Sequence, residues 1–185
     1  MSPRPRTVEV NASSGECLVF TEKQGLLSKV AHDLKIRVTD FDIAWDGATL
    51  SARFDPSSLR VVCAMAKVRE NPTALSDSDK KKIEKSIVAD VLQARKHPAI
   101  EFESSEVVLE GKGYRIKGDL TLHGVTRPIS AKVNPSSGRW STQVSINQPD
   151  YGIEPFSAML GTLKVKPKVR VRVSVPADGL PLPGS

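Results

Sequence analysis

Residues Gly118 to Pro128 read GDLTLHGVTRP, and they close a segment that alternates strictly. Tyr114, Ile116, Leu120 and Leu122 share one parity; Arg115, Lys117, Asp119 and Thr121 share the other. Successive side chains of a strand point to opposite faces, so this is a strand with one apolar and one polar face. Alternation stops at His123-Gly124 and resumes beyond Arg127-Pro128. Two questions follow: what covers the apolar face, and whether His123 does chemistry or only ends a strand.

The same period recurs along the chain. In residues 162–176, TLKVKPKVRVRVSVP, Leu163, Val165, Val169, Val171, Val173 and Val175 oppose Lys164, Lys166, Lys168, Arg170, Arg172 and Ser174. Pro167 lacks a donor, so a bend, bulge or edge is expected there. Strands are also predicted over 6–10, 16–21, 34–45, 48–54, 59–65, 100–109, 113–122, 127–133 and 138–146. Within 34–45 the apolar phase slips at Thr39-Asp40, which suggests a bulge. Asp46-Gly47 reads as a hairpin turn. One segment differs. From Asp79 to His97-Pro98, Ile83, Ile87, Val88, Val91 and Leu92 form a helical stripe, with Ser76, Asp77 or Ser78 as cap. Its other face, Lys80, Lys81, Lys82, Glu84 and Lys85, reads as solvated or as a membrane contact.

Composition sets the frame. The 185 residues are 39% hydrophobic and 26% charged, as in a globular domain. Cys17 and Cys63 stand apart in apolar surroundings and read as buried free thiols. No run spans a bilayer as a helix. The N-terminal MSPRPRTVEV has no apolar segment behind its arginines, so the expected location is cytoplasmic, or periplasmic if a leader was removed. Residues 1–6 and 177–185 read as flexible tails around a domain of 7–176. The net charge of +6 invites nucleic acid or an anionic surface as partner. The basic last strand alternates with valine rather than with stacking aromatics, so no nucleic acid is expected. Its lysines also discourage edge pairing.

Eight to ten antiparallel strands and one helix must hide a continuous apolar face. A sandwich or a closed barrel does so. Aromatics are only 5%, leaving an inner face of Val, Ile and Leu. An eight-stranded barrel is wide enough to be filled by side chains or to hold one small ligand, and the pattern alone leaves both open.

GDLTLHGVTRP resembles the most recognisable stretch of the YceI-like family of lipocalin-like barrels. Further stretches resemble it in order: Ala31-His32-Asp33-Leu34, Phe54-Asp55-Pro56-Ser57-Ser58-Leu59, His97-Pro98-Ala99-Ile100-Glu101-Phe102-Glu103-Ser104 and Tyr151-Gly152-Ile153. The resemblance covers about residues 7 to 176 and implies an all-β fold, an extended antiparallel eight-stranded barrel with one α-helix between early and late strands. It implies binding of a long polyisoprenoid or similar fatty, amphipathic lipid, without catalysis or cofactor, for carriage or sequestration. The segment 156–168, FSAMLGTLKVKPK, looks like a subgroup form.

On that reading, apolar parity nominates Val38, Phe102, Ile116, Leu120, Leu122, Val144, Val169 and Val171 as lining, with Tyr151, Phe156 and Met159 closing one end. His32, Lys96, His123 and Arg127, all from turns, are the candidates for a lipid head group at the mouth. A ligand efficiency of about 0.3 kcal/mol per heavy atom gives a chain of about 40 carbons roughly nanomolar binding without polar contacts along its tail. The alternatives are a filled barrel that serves as a structural or partner-binding module, and a metal-assisted enzyme using His32, Asp33 and His123. Ser28 near His32 is the best nucleophile pair available, and a poor one. A membrane surface is a candidate transient partner, and an open sheet edge leaves room for a homodimer.

Overall fold

The computed structural model describes residues 7–24, 32–161, 163–180 and 182. Residues 1–6, Ala31 of the early motif and Ser28 lie outside the described residues. The strands are β1 (Val8–Asn11), β2 (Glu16–Thr21), β3 (Lys23–Gln24), β4 (Asp33–Val38), β5 (Phe41–Trp45), β6 (Leu50–Phe54), β7 (Leu59–Ala66) and β8 (Arg69–Asn71). Helix α1 (Asp77–Ser86) runs into a π turn, Ile87–Val91. Then come β9 (Ile100–Glu110), β10 (Gly113–Leu122), β11 (Val125–Ser136), β12 (Arg139–Asn147), β13 (Ser157–Ala158), β14 (Leu163–Val165) and β15 (Lys168–Pro176).

Twelve strands form one curled antiparallel sheet in the order β1-β5-β6-β9-β10-β11-β12-β15-β2-β4-β7-β8, and β13-β14-β3 form a second, small one. The expected count of eight is therefore corrected to twelve, for a local reason. Three long runs are each broken. The turn at Ser14-Gly15, both amides bonded to the Asn11 carbonyl, separates β1 from β2. At the slip foreseen near Thr39-Asp40 the backbone leaves the ladder: the Thr39 amide bonds the Ser58 carbonyl and the Asp40 amide bonds Ser58 Oγ. The Asp55-capped turn Pro56–Ser58 separates β6 from β7. The strand pair β7–β8 adds the fourth extra strand. The bend at Pro167 separates β14 from β15, as its missing donor predicts.

The hairpin at His123 answers the opening question. Leu122 pairs with Val125, and the two residues between them have positive φ, His123 at 54° and Gly124 at 76°. Two left-handed residues make a type I′ turn, whose twist matches the flanking strands. His123 fills the first position, where Asn or Asp is usual before glycine, and His is among the few other side chains enriched at positive φ.

Helix α1 starts two residues before the sequence stripe does. Ser76 caps it reciprocally with Asp79, and Asp77 and Asp79 offset the lysines at the positive end of the helix dipole. The helix stops well short of His97, because the backbone passes into the π turn, where the Leu92 amide bonds the Ile87 carbonyl. In the C-terminal segment expected as a tail, two described residues are packed. Leu180 and Leu182 are buried among Val10, Trp45, Tyr114 and Val175 and seal one end of the core.

Candidate functional site

The antiparallel ladder places the ends of β2, β7, β10 and β12 and the starts of β4, β9, β11 and β15 along one rim. The other end is closed. There Tyr114 packs edge-on against Trp140 at 5.2 Å, and Leu180 and Leu182 fill in below. Between rim and floor lies a cavity of about 740 Å³. This falls in the upper part of the range of about 300–1,000 Å³ typical of small-molecule sites.

Burial along single strands reveals the cavity. On the inward face of β15, Val175 is buried near the floor, while Val173, Val171 and Val169 remain only half-buried. On β11, Val133 is buried, and Ala131 and Ile129 are half-buried. A filled core would bury all of them. Small side chains at Ala52 and Ala131 widen the space. Helix α1 and its π turn lie against one side, contributing Ile83, Ile87, Val91 and Leu92. No residue of α1 is fully buried. Its apolar stripe faces the cavity rather than a packed core.

The wall is mainly aliphatic but carries unused hydrogen-bonding groups. Thr21 Oγ1, Trp140 Nε1 and Thr142 Oγ1 have no partner among the described residues, and all three residues line the cavity. Gln148 also lines it, but its amide is spent on the Lys166 and Pro167 carbonyls, both at 3.2 Å. Near the rim, Lys23, His32, Lys82 and Lys164 supply the basic lining. Cys17 lies on the wall, and burial pushes its thiol up to about 12. Cys63 is buried, and desolvation raises its thiol too.

The residues nominated by parity, Val38, Phe102, Ile116, Leu120, Leu122, Val144, Val169 and Val171, all line the cavity. Of the three nominated to close one end, Phe156 lines it too. Tyr151 does not. It is buried among Leu120, Leu122, Ile146 and Ile153, set by the turn Gln148–Tyr151 and by Gly152 at φ 66°. Burial raises its phenol. Met159 belongs to a short 3-10 turn, and its side chain lies outside the described part of the structure.

Of the four candidates for the mouth, only His32 lines the cavity. Lys96 is exposed beyond the π turn. The Arg127 Nε–H donates to the Asp150 carbonyl at 2.6 Å, fastening the loop after β12 to β11. His123 lies against His97, ring centroids 4.3 Å apart, and its Nε2 is buried without a partner among the described residues. Burial, with the nearby His123 and Lys96 charges, lowers the His97 imidazole. No three His, Cys, Asp or Glu side chains gather as a metal site among the described residues. His32, Asp33 and His123 thus do not form the cluster that a metal enzyme needs.

The basic exterior is also more ordered than a solvated face. Arg170 and Arg172 lie over the Phe20 ring, at 5.6 and 5.4 Å from its centroid. Glu22 pairs with Lys166 and Arg170, and Glu16 with Arg37 and Arg172.

Comparison with known proteins now fixes the ancestry. The model of the YceI-like domain matches residues 45–177. The chain belongs to the YceI-like family. A UPF0312 protein of Vibrio cholerae serotype O1 is 32% identical over 117 residues, 57% of this chain and 60% of that protein. One from Pectobacterium carotovorum is 29% identical over 130 residues, 66% of this chain and 65% of its own length. The match thus spans less than two thirds of these relatives. Among solved structures, Burkholderia cenocepacia BcnA superposes with a TM-score of 0.62 at 13% identity, over 90% of this chain and 98% of that one. A polyisoprenoid binding domain from Saccharophagus degradans, implicated in plant cell wall breakdown, gives 0.58 at 12% identity, over 94% and 97%. At such identities the likeness is one of fold.

Proposed function

We propose that this YceI-like protein is a non-catalytic carrier or sequestration protein for one long, apolar, polyisoprenoid-type lipid. The observation that carries the reading is the half-exposed aliphatic wall around a cavity of about 740 Å³. Apolar area left accessible inside a fold gains roughly 25 cal/mol per Å² when a ligand covers it. The family supports a lipid-binding role, and the name of the Saccharophagus degradans neighbour points to the same ligand class.

The finer architecture we propose is a lipocalin-like barrel of eight long, bent strands. If β1 and β2, β4 and β5, and β6 and β7 are each taken as one strand, the pairing runs in a ring. β6 leads to β9, and β15 leads back to β2. The lipid tail points toward the Tyr114–Trp140 floor. Its polar head stays at the rim with Lys23, His32, Lys82 and Lys164, in place of the cluster expected from the turns.

Native mass spectrometry of the purified protein, followed by solvent extraction, tests this. The expected result is a bound mass in the polyprenyl range, or uptake of one added polyprenyl lipid per chain. An empty protein that takes up none overturns the reading in favour of a structural or partner-binding barrel.

A further inference from the structure

Among the described residues three large apolar side chains are markedly exposed: Leu160, Val68 and, to a lesser degree, Leu109. Leu160 is fully exposed and Val68 is 90% exposed. These two come from separate loops, yet the topology brings both to the cavity rim. Val68 tips the β7–β8 turn, immediately beyond the Asp33–Met65 pair that starts β4. Leu160 tips the β13–β14 turn, three residues before the cavity-lining Leu163. The Lys23 amide donates to Asp33, and Lys23 pairs with Val165, so both loops hang from one stretch of rim. Leu160 also has φ at 55°, unusual for a branched, non-glycine residue.

The charge around these side chains is one-sided. Lys67 and Arg69 flank Val68 in sequence, and Lys82, Lys164 and Lys168 lie at the same end. None of the five makes an ion pair among the described residues. Most acids nearby are committed inside the protein: Glu70 holds Lys35, Asp79 accepts from Ser76 Oγ, Glu84 accepts from the Val61 amide, and Glu22 holds Lys166. Glu154, exposed ahead of β13, is one acid against these five cations. Apolar tips ringed by unneutralised cations are what an anionic bilayer surface receives, the tips entering the acyl boundary and the cations meeting the head groups.

We propose that the rim carrying Val68 and Leu160 docks onto an anionic lipid bilayer, mouth down. This rests on the lipid-carrier reading for its purpose, since a docked mouth passes an apolar chain between membrane and cavity without crossing water. It is tested separately. Flotation of the intact protein is measured with phosphatidylcholine vesicles, with and without phosphatidylglycerol. Binding is expected only with phosphatidylglycerol and falls as salt screens the cations. The double substitution Val68→Ser, Leu160→Ser is expected to lower partitioning at least about tenfold. Lys67→Gln and Lys164→Gln are each expected to lower it about fivefold. Leu109→Ser, near the end of β9 at the opposite end of the molecule, is the control and leaves it unchanged. Undiminished flotation of the double variant, or no flotation of the unsubstituted protein on phosphatidylglycerol vesicles, overturns the proposal. Either result leaves polyprenyl capture, read by mass spectrometry, to stand or fall alone. Retention of bound polyprenyl by a non-floating double variant supports docking as a function of the rim distinct from the cavity.

Discussion

Glu84 Oε1 accepts a hydrogen bond from the Val61 amide at 2.8 Å, tying the helix to the sheet where the β4–β7 register slips. Ile36 pairs with Val61 and Lys35 with Cys63, so Val62 is the extra residue of a bulge. The bulge frees the Val61 amide from the ladder, and a buried amide needs a partner. The carboxylate that supplies it also fixes the helix over the cavity.

Removing that carboxylate leaves the amide orphaned. Glu84→Ala is expected to destabilise the fold by about 1–3 kcal/mol. Glu84→Gln keeps an acceptor and loses less. Urea denaturation of the three proteins checks the order, and equal midpoints would contradict the anchoring role.

Cavity and filled core respond differently to added volume. Ala131 is half-buried on the inner wall opposite Ile116. In a filled core Ala131→Trp overpacks and destabilises by about 1–3 kcal/mol or more. Here the ring enters open space. Stability is expected to change by less than about 1 kcal/mol, while lipid uptake drops at least about tenfold. Thermal melts and native mass spectrometry on the same variant give both numbers.

The lining was legible because strand parity is a local property. Once β10 and β15 alternate, Ile116 and Leu120 share one face of β10 and Val169 and Val171 one face of β15, and the apolar sets both turn inward because the core needs them. The mouth was not legible. His123, Arg127 and Lys96 were grouped because all lie at turns, but a turn residue's company depends on long-range pairing. His123 meets His97 across the β9–β10 edge, and Arg127 meets the loop after β12. Leu180 and Leu182 were hidden by the prolines and glycines around them. Two leucines at alternate positions were the available signal. The count of eight came from the family resemblance; the sequence itself separates 6–10 from 16–21 and 48–54 from 59–65. It runs 34–45 together because the break at Thr39-Asp40 is set by hydrogen bonds to Ser58, and it misses β8, a short exposed strand without hydrophobic period.

Both thiols are expected to be inert in the folded protein. Cys17 and Cys63 are free and buried, and burial raises both. The nucleophile is the thiolate, so at about pH 8 alkylation is slow until the chain unfolds. Intact-mass analysis after iodoacetamide treatment should show no adduct without denaturant and two with it. Rapid native labelling of either cysteine would show that solvent reaches the core.

The His97–His123 contact makes stability depend on pH in a defined direction. Burial first, then the charges of His123 and Lys96, lowers the His97 imidazole below its ordinary 6.5. Between the folded and unfolded values the unfolded chain binds a proton that the folded chain refuses. Stability therefore falls as pH drops through about 6.5, and this component levels off below the folded value. His97→Gln is expected to abolish the component. His123→Asn is expected to weaken it while keeping the turn, since Asn tolerates positive φ. Urea midpoints at about pH 8 and about pH 5 measure it, and identical differences in all three proteins would remove His97 as the cause.

Gly118, which opens the stretch that decides the fold, tolerates no side chain. The β9–β10 register slips between Lys117 and Gly118, leaving Ser105 as the bulged residue. A Cβ at position 118 would lie 2.2 Å from the Glu103 carbonyl oxygen and 2.7 Å from both Phe102 Cζ and Ser104 Cα. The nearest obstacle is backbone of the partner strand, so relief requires the strands to separate. Phe102 lines the cavity, and its ring must shift as well. Gly118→Ala is expected to destabilise by about 1–3 kcal/mol and to weaken lipid uptake together with stability. Gly138→Ala, whose φ is 73° but whose Cβ would meet nothing within 4 Å, isolates the backbone contribution. It is expected to shift the melting temperature less than Gly118→Ala, and to leave uptake unchanged because the β11–β12 turn lies at the closed end. Equal losses in the two variants would mean that close strand approach at Gly118 is not what the glycine provides.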